Sequence, residues 1–166
     1  NCDFCPTEGD CCNPDNDPDD YNSHGTHIAG TIGAITNNGI GIAGIAGGWS
    51  GSKGGVKIVP LKVGYHSKRF GGGIVRMDWA AQAMNYLADL IDDGYNVAAI
   101  NCSWGSTEGG GLAAAVQRLL ARDVTIVHAA GNSGKDNPGF LGTVEGVVNV
   151  GATDTRARGA PFSNYG

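Results

Sequence analysis

Basic residues are few and nowhere gathered: 11 Lys and Arg stand against 16 Asp and Glu, for a net charge of −5. A surface of that sign gives phosphate backbones nothing to bind, so no nucleic-acid partner is expected. Long apolar runs are also missing. None approaches the roughly 18 residues of a membrane-spanning helix, and no basic segment followed by an apolar stretch opens the chain. A soluble piece without membrane contact is expected, with any export signal lying upstream. Internal repeats and low-complexity tracts are absent as well, which leaves an ordinary globular domain as the reading.

What is present fits one such domain. The chain has 166 residues, 41% of them hydrophobic, and domains commonly run to about 100–150 residues. Its 29 glycines lie between apolar runs with no collagen-like period and read as tight turns and close backbone approaches. Of the five cysteines, Cys2, Cys5, Cys11 and Cys12 crowd into the first dozen residues, while Cys102 sits in an apolar run. The cluster staples one loop. Disulfides in an oxidising compartment are the first reading, and reduced thiols or a small zinc knot remain as alternatives. With three prolines, six aspartates and almost no aliphatic residues in the first twenty positions, residues 1–22 are read as an acidic surface loop and 23–166 as the packed domain.

From Ser23 onward, helical and strand-like patterns alternate. Residues 23–32 read as a helix of small residues capped by Ser23. Runs rich in valine and isoleucine at 57–63, 97–103, 124–130 and 146–151 read as buried parallel strands. Residues 74–91 put Ala80, Ala83, Met84, Leu87 and Leu90 on one stripe, and 112–121 do the same with Val116, Leu119 and Leu120, as two helices would. The fold class that follows is α/β, doubly wound, with a mainly parallel sheet and helices on both faces.

In such sheets functional groups gather at the carboxyl ends of the strands. Three segments fit: one opening at His24, one running from Asn101 to Ser106, and one from His128 to Gly134. The segment Asn22-Ser23-His24-Gly25-Thr26-His27-Ile28-Ala29-Gly30-Thr31 closely resembles the histidine motif of the subtilases, the subtilisin-like serine proteases. The residues at 36–44, 59–63, 101–105, 129–134, 148–152 and 162–166 resemble later subtilase segments in the same order. Six ordered matches spread over about 145 residues exclude chance where a lone His-Gly-Thr-His would not.

The resemblance implies a serine endopeptidase acting on protein or peptide substrate in extended conformation, secreted and monomeric. His24 is then the general base, whose neutral imidazole is the form that accepts a serine proton. Asn132 is the side-chain donor of the oxyanion hole. Ser103, Trp104 and Gly105 are the substrate-binding strand, which pairs with a peptide backbone by β-augmentation, and Gly71, Gly72 and Gly73 are the opposite edge. Ala129, Ala130 and Gly131 line the primary pocket. Thr36, Asn38, Ile40 and Ile42 resemble a calcium loop in which carbonyl oxygens and one amide oxygen are the ligands, so a structural calcium is implied. His27, His66 and His128 read as hydrogen-bonded packing residues.

The same resemblance calls for a strand-ending Asp-Thr-Gly or Asp-Ser-Gly and for a Gly-Thr-Ser segment with the nucleophile, and neither pattern occurs in these 166 residues. The domain is therefore read as incomplete, and the chain alone as inactive. Two other readings remain. One is a pseudoprotease or peptide-binding module that keeps the groove without the nucleophile. The other is a metalloprotein using His24, His27 and the cysteines, although H-x-x-H here lacks the glutamate of H-E-x-x-H.

Overall fold

The structure, a computed structural model, describes residues 17–51, 54–67 and 69–166. The cysteines at positions 2, 5, 11 and 12, and the staple read from them, lie outside the described residues. The chain forms two compact units, Asn1–Ile74 and Val75–Gly166.

In the first unit, α1 (His24–Gly33) begins after a left-handed turn at Ser23, φ 69°. The expected Ser23 cap is not made. Asp20 takes its place: its Oδ1 accepts the N–H of Asn22 and of Ser23, each at 2.9 Å, and its Oδ2 accepts the N–H of Thr26 at 2.7 Å. A carboxylate there satisfies an orphan amide and faces the positive end of the helix. The other end of α1 is closed by the chain that returns along it. Gly44, Ile45 and Ala46 donate their N–H groups to the carbonyls of Ala34, Thr31 and Ile32 at 2.8–2.9 Å. Gly47 lies so close to the Ala34 carbonyl that a Cβ there would overlap it, so a glycine is needed to let the two backbones approach.

The expected strand at 57–63 does not form; those residues hold no regular element, and Ile58 and Val59 stay 43% and 53% exposed. A valine-rich run favours extended backbone, but pairing needs a partner strand, and the sequence pattern does not supply one. The pairing in this unit falls later, between β1 (Gly64–Ser67) and β2 (Gly72–Val75), a two-stranded sheet. Because β2 occupies Gly72–Val75, the next helix starts at Met77 instead of residue 74.

The second unit carries the parallel sheet, in spatial order β3 (Ala99–Cys102), β4 (Thr125–Ala129), β5 (Val147–Val150). The register sets Cys102 beside His128 and His128 beside Asn149. Helix α2 (Met77–Asp92) buries Ala80, Ala81, Met84, Leu87 and Ala88, while α3 (Leu112–Leu120) buries Leu112, Ala115, Val116 and Leu119. These spacings put one apolar stripe on each helix and pack the two together. At their rim Arg122 grips Asp92 through Nε and Nη2 at 2.9 and 2.7 Å, an exposed fork of small energetic weight. Ile126 and His128 are buried on one face of β4, and α4 (Gly139–Gly142) packs on β4 and β5. On the other face Val148 and Val150 of β5 remain half exposed. Among the described residues no helix is long and apolar enough to cross a membrane.

Candidate active site

His24 is the first residue of α1 and is exposed. Asp20 fixes the turn before it, since Thr26 donates to Asp20 Oδ2 through its hydroxyl as well, at 3.0 Å. Burial pushes the Asp20 carboxyl up, but hydrogen bonds from Thr26, Asn22 and Ser23 outweigh it and hold the group below its ordinary value of 3.8. His27, one turn on, is exposed; its carbonyl accepts the Thr31 hydroxyl at 3.0 Å. Also in this unit, Asn22 Nδ2 lies 3.0 Å from His66 Nδ1, and a Cβ on Gly73 would meet the Asn22 side chain at 3.4 Å. The glycines that resemble a substrate edge are thus on β2 and in the turn before it, with Gly73 against the residue two before His24.

The loop from Thr36 to Ile42 is held by one of its own side chains and by the chain that returns to it. Asn38 Oδ1 accepts the Ile40 N–H at 3.0 Å, and the Thr36 carbonyl accepts the Ser50 N–H at 2.8 Å. Ile40 and Ile42 are exposed. Among the described residues no group of three or more His, Cys, Asp and Glu side chains is placed to hold a metal ion.

In the second unit the candidate residues follow the strand ends. Ser103, Trp104 and Gly105 come directly after β3, with Ser103 Oγ accepting from Asn101 Nδ2 at 2.9 Å. Ala129 closes β4, and Ala130 adds one further parallel bond, donating its N–H to the Val150 carbonyl at 2.9 Å. Gly131, at φ 108°, turns the chain out of the sheet, and Asn132 stands exposed just beyond it.

Beneath these segments lies a polar chain around His128, a hydrogen-bonded packing residue as expected from the sequence, whose partners Ser106 and Asn149 the sequence left unseen. Ser106 Oγ is 3.1 Å from His128 Nε2, and His128 Nδ1 is 3.2 Å from Asn149 Oδ1. With a carbonyl oxygen on the Nδ1 side, the ring donates there and accepts the serine proton at Nε2. Ser/His/Asn in this order has the pattern of an activated nucleophile, but Ser106 is 6% and His128 1% exposed, and the serine oxygen already accepts the Leu141 N–H at 2.8 Å. No substrate carbonyl reaches it, so the chain is structural. It joins the loop after β3 to the end of β4, and Trp104 packs edge-on against His128 at 6.3 Å. Cys102, beside His128 in the sheet, is also buried, and burial pushes its thiol up to about 12.

Comparison with known proteins places this arrangement. A family model described as "Subtilase family" matches residues 7–166. The extracellular basic protease of Dichelobacter nodosus is 38% identical over 154 residues, covering 86% of this chain and 23% of that protein. Thermitase of Thermoactinomyces vulgaris is 35% identical over 153 residues, covering 92% and 49%. Among solved structures, the self-cleaved protease domain of PatA superposes with a TM-score of 0.60 at 27% identity, over 87% of this chain and 49% of that one. The chain thus spans about a quarter to a half of these two curated relatives.

Proposed function

Since this chain belongs to the subtilase family, we propose that it is part of a serine endopeptidase that cleaves protein substrates. The observation that carries the reading is the family match over residues 7–166, with His24 opening a helix and Asn132 in the turn three residues beyond a parallel strand.

In this mechanism a serine supplied by sequence outside these 166 residues attacks the peptide carbonyl. His24 accepts the serine proton and later returns it to the leaving amine, and the Asn132 amide donates to the oxyanion of the tetrahedral intermediate. The aspartate partner of His24 likewise lies outside the chain, so the 166 residues alone turn over no substrate. Ser103, Trp104 and Gly105, and separately Gly71, Gly72 and Gly73, present backbone edges to an extended peptide. Ala129, Ala130 and Gly131 wall the pocket for the side chain before the scissile bond, and their small size favours a large apolar residue there.

Calcium fits the loop at 36–42 in kind. The Thr36, Ile40 and Ile42 carbonyls and Asn38 Oδ1 are neutral hard oxygens, and the two already accepting hydrogen bonds keep a second lone pair. They fill part of the 6–8 positions the ion takes, so other oxygens complete the shell. When bound, the ion fixes the loop's conformation. We propose a monomer that acts outside the cell, a reading supported by the name of the Dichelobacter relative, an extracellular basic protease.

The test is hydrolysis of casein by the full-length protein, with and without a sulfonyl fluoride that sulfonylates active serines. Inhibitable hydrolysis that disappears in His24→Ala is expected. Peptide capture without hydrolysis in the intact protein would make it a binding module, and hydrolysis indifferent to both perturbations would sink the assignment.

A further inference from the structure

The turn bearing Asn132 is not held by β4 alone. The segment 162–165 runs beside it: Gly134 donates its N–H to the Phe162 carbonyl at 2.8 Å, and Tyr165 donates to the Lys135 carbonyl at 3.1 Å. Within that segment one side chain stands out by its bonding. Asn164 donates its backbone N–H to the Gly131 carbonyl at 2.9 Å. Its Oδ1 accepts the N–H of Ser133 at 2.8 Å and of Lys135 at 3.2 Å, and its Nδ2 donates to the Asn137 carbonyl at 2.8 Å. The residues immediately before and after Asn132 are thus both fastened to Asn164. A Cβ on Gly131 would lie 2.5 Å from Asn164 Nδ2, so the amide sits against the bare backbone at the point where the turn begins.

Asn164 is fixed in its own right. The preceding Ser163 is 9% exposed, and its Oγ accepts the Ala152 N–H at 2.8 Å and donates to the Asn164 carbonyl at 3.0 Å. Ala152 follows β5 by two residues, and β5 pairs with β4. The turn after β4 is therefore closed from both ends by one framework. Asn132 itself is exposed, and among the described residues its side chain takes no hydrogen-bond partner, leaving the amide available to a ligand.

We propose that Asn164 is a positioning residue for catalysis, clamping the turn on both sides of Asn132 so that the Asn132 amide is held ready for the oxyanion. The inference rests on the oxyanion role given to Asn132 above. A preorganised donor stabilises transition-state charge without reorganising as the charge develops, and displacement by about 1 Å is enough to cost on the order of 10²-fold in rate. Outright removal of such a donor costs about 10²–10³-fold in kcat, a figure that comes from subtilisin, a member of the same family. Loosening it should cost less, about tenfold to 30-fold.

The experiment is steady-state peptide hydrolysis by the full-length protein carrying Asn164→Ala, Asn132→Ala and both. Ser133 and Lys135 are exposed, so water replaces the lost partner and the fold survives the change. Asn164→Ala should lower kcat about tenfold or more with KM within threefold, and should add almost nothing in the Asn132→Ala background, because a clamp has no work without its donor. An equal loss in both backgrounds, or a loss in KM alone, overturns the proposal. Should Asn132→Ala leave kcat intact, the oxyanion reading fails instead. The clamp is then decided by amide hydrogen exchange: selective acceleration at Ser133 and Lys135 in Asn164→Ala sustains it, and unchanged exchange there refutes it.

Discussion

Removing one hydroxyl, in Ser106→Ala, exposes how much the second unit depends on its buried polar chain. Two groups lose their partner at once: the N–H of Leu141, whose side chain is fully buried, and Nε2 of His128, which is 1% exposed. Each buried polar group left unpaired costs about 1–3 kcal/mol. The two losses share one oxygen and relax together, which sets the expectation at about 2–4 kcal/mol, against the ±0.5 kcal/mol or so of a surface change. For a domain of about 150–250 residues about 1 kcal/mol moves the melting temperature by roughly 2–4 °C, so a fall of about 4–16 °C is expected by calorimetry on the full-length protein. Thr107→Ala, at an exposed neighbouring position, serves as the control and should stay within about 2 °C. A Ser106→Ala protein melting with that control would refute the reasoning, because it would mean that neither Leu141 N–H nor His128 needs the serine oxygen.

Three further outcomes are expected. The Asp20 carboxyl is held below its ordinary 3.8, so its stabilising effect is complete above that value and is lost as pH falls through the lower folded pKa; the stability gap between wild type and Asp20→Asn should be constant above about pH 5 and close below about pH 4, and a gap that widens on acidification would contradict the sign. With its thiol pushed up to about 12 by burial, Cys102 should resist iodoacetamide at pH 8 in the native protein and react fully in urea, as peptide mass mapping will show; native-state labelling would contradict its burial. If the loop at 36–42 holds calcium, a chelator should lower the melting temperature of the full-length protein and Asn38→Ala should shrink that shift, whereas an equal shift in both proteins would place the ion elsewhere.

The sequence made the second unit legible and left much of the first obscure, for one physical reason. Strands β3, β4 and β5 and helices α2 and α3 declare themselves locally, through short valine- and isoleucine-rich runs and through apolar stripes at helical spacing, and each lies within about three residues of where the pattern puts it. The run at 57–63 is apolar like those strands but carries Pro60 and two lysines, and it forms no strand among the described residues, since composition specifies an extended backbone and only another strand specifies a ladder. The cap of α1 failed for a related reason. Serine at the expected position is a good cap only when its backbone is extended; here Ser23 is left-handed, and the aspartate three residues earlier reaches the same amides.

The candidate site divides along the same line. His24 and Asn132 are legible because a motif names them, but what holds Asn132 in place comes from 32 residues further on, and no periodicity or spacing connects Gly131 to Asn164. The signal that was available is that Asn164 lies in a segment resembling the family at 162–166, with no chemistry of its own to explain its presence there. An asparagine that neither caps a helix nor reaches a substrate has its donors and acceptor to satisfy elsewhere. In a fold whose reactive turns project from strand ends, the bare amides of those turns are the partners nearest to hand. Motif residues left over after the chemistry is assigned are therefore the places to look for the framework that aims it, and the Asn132/Asn164 cycle tests whether that inference holds here.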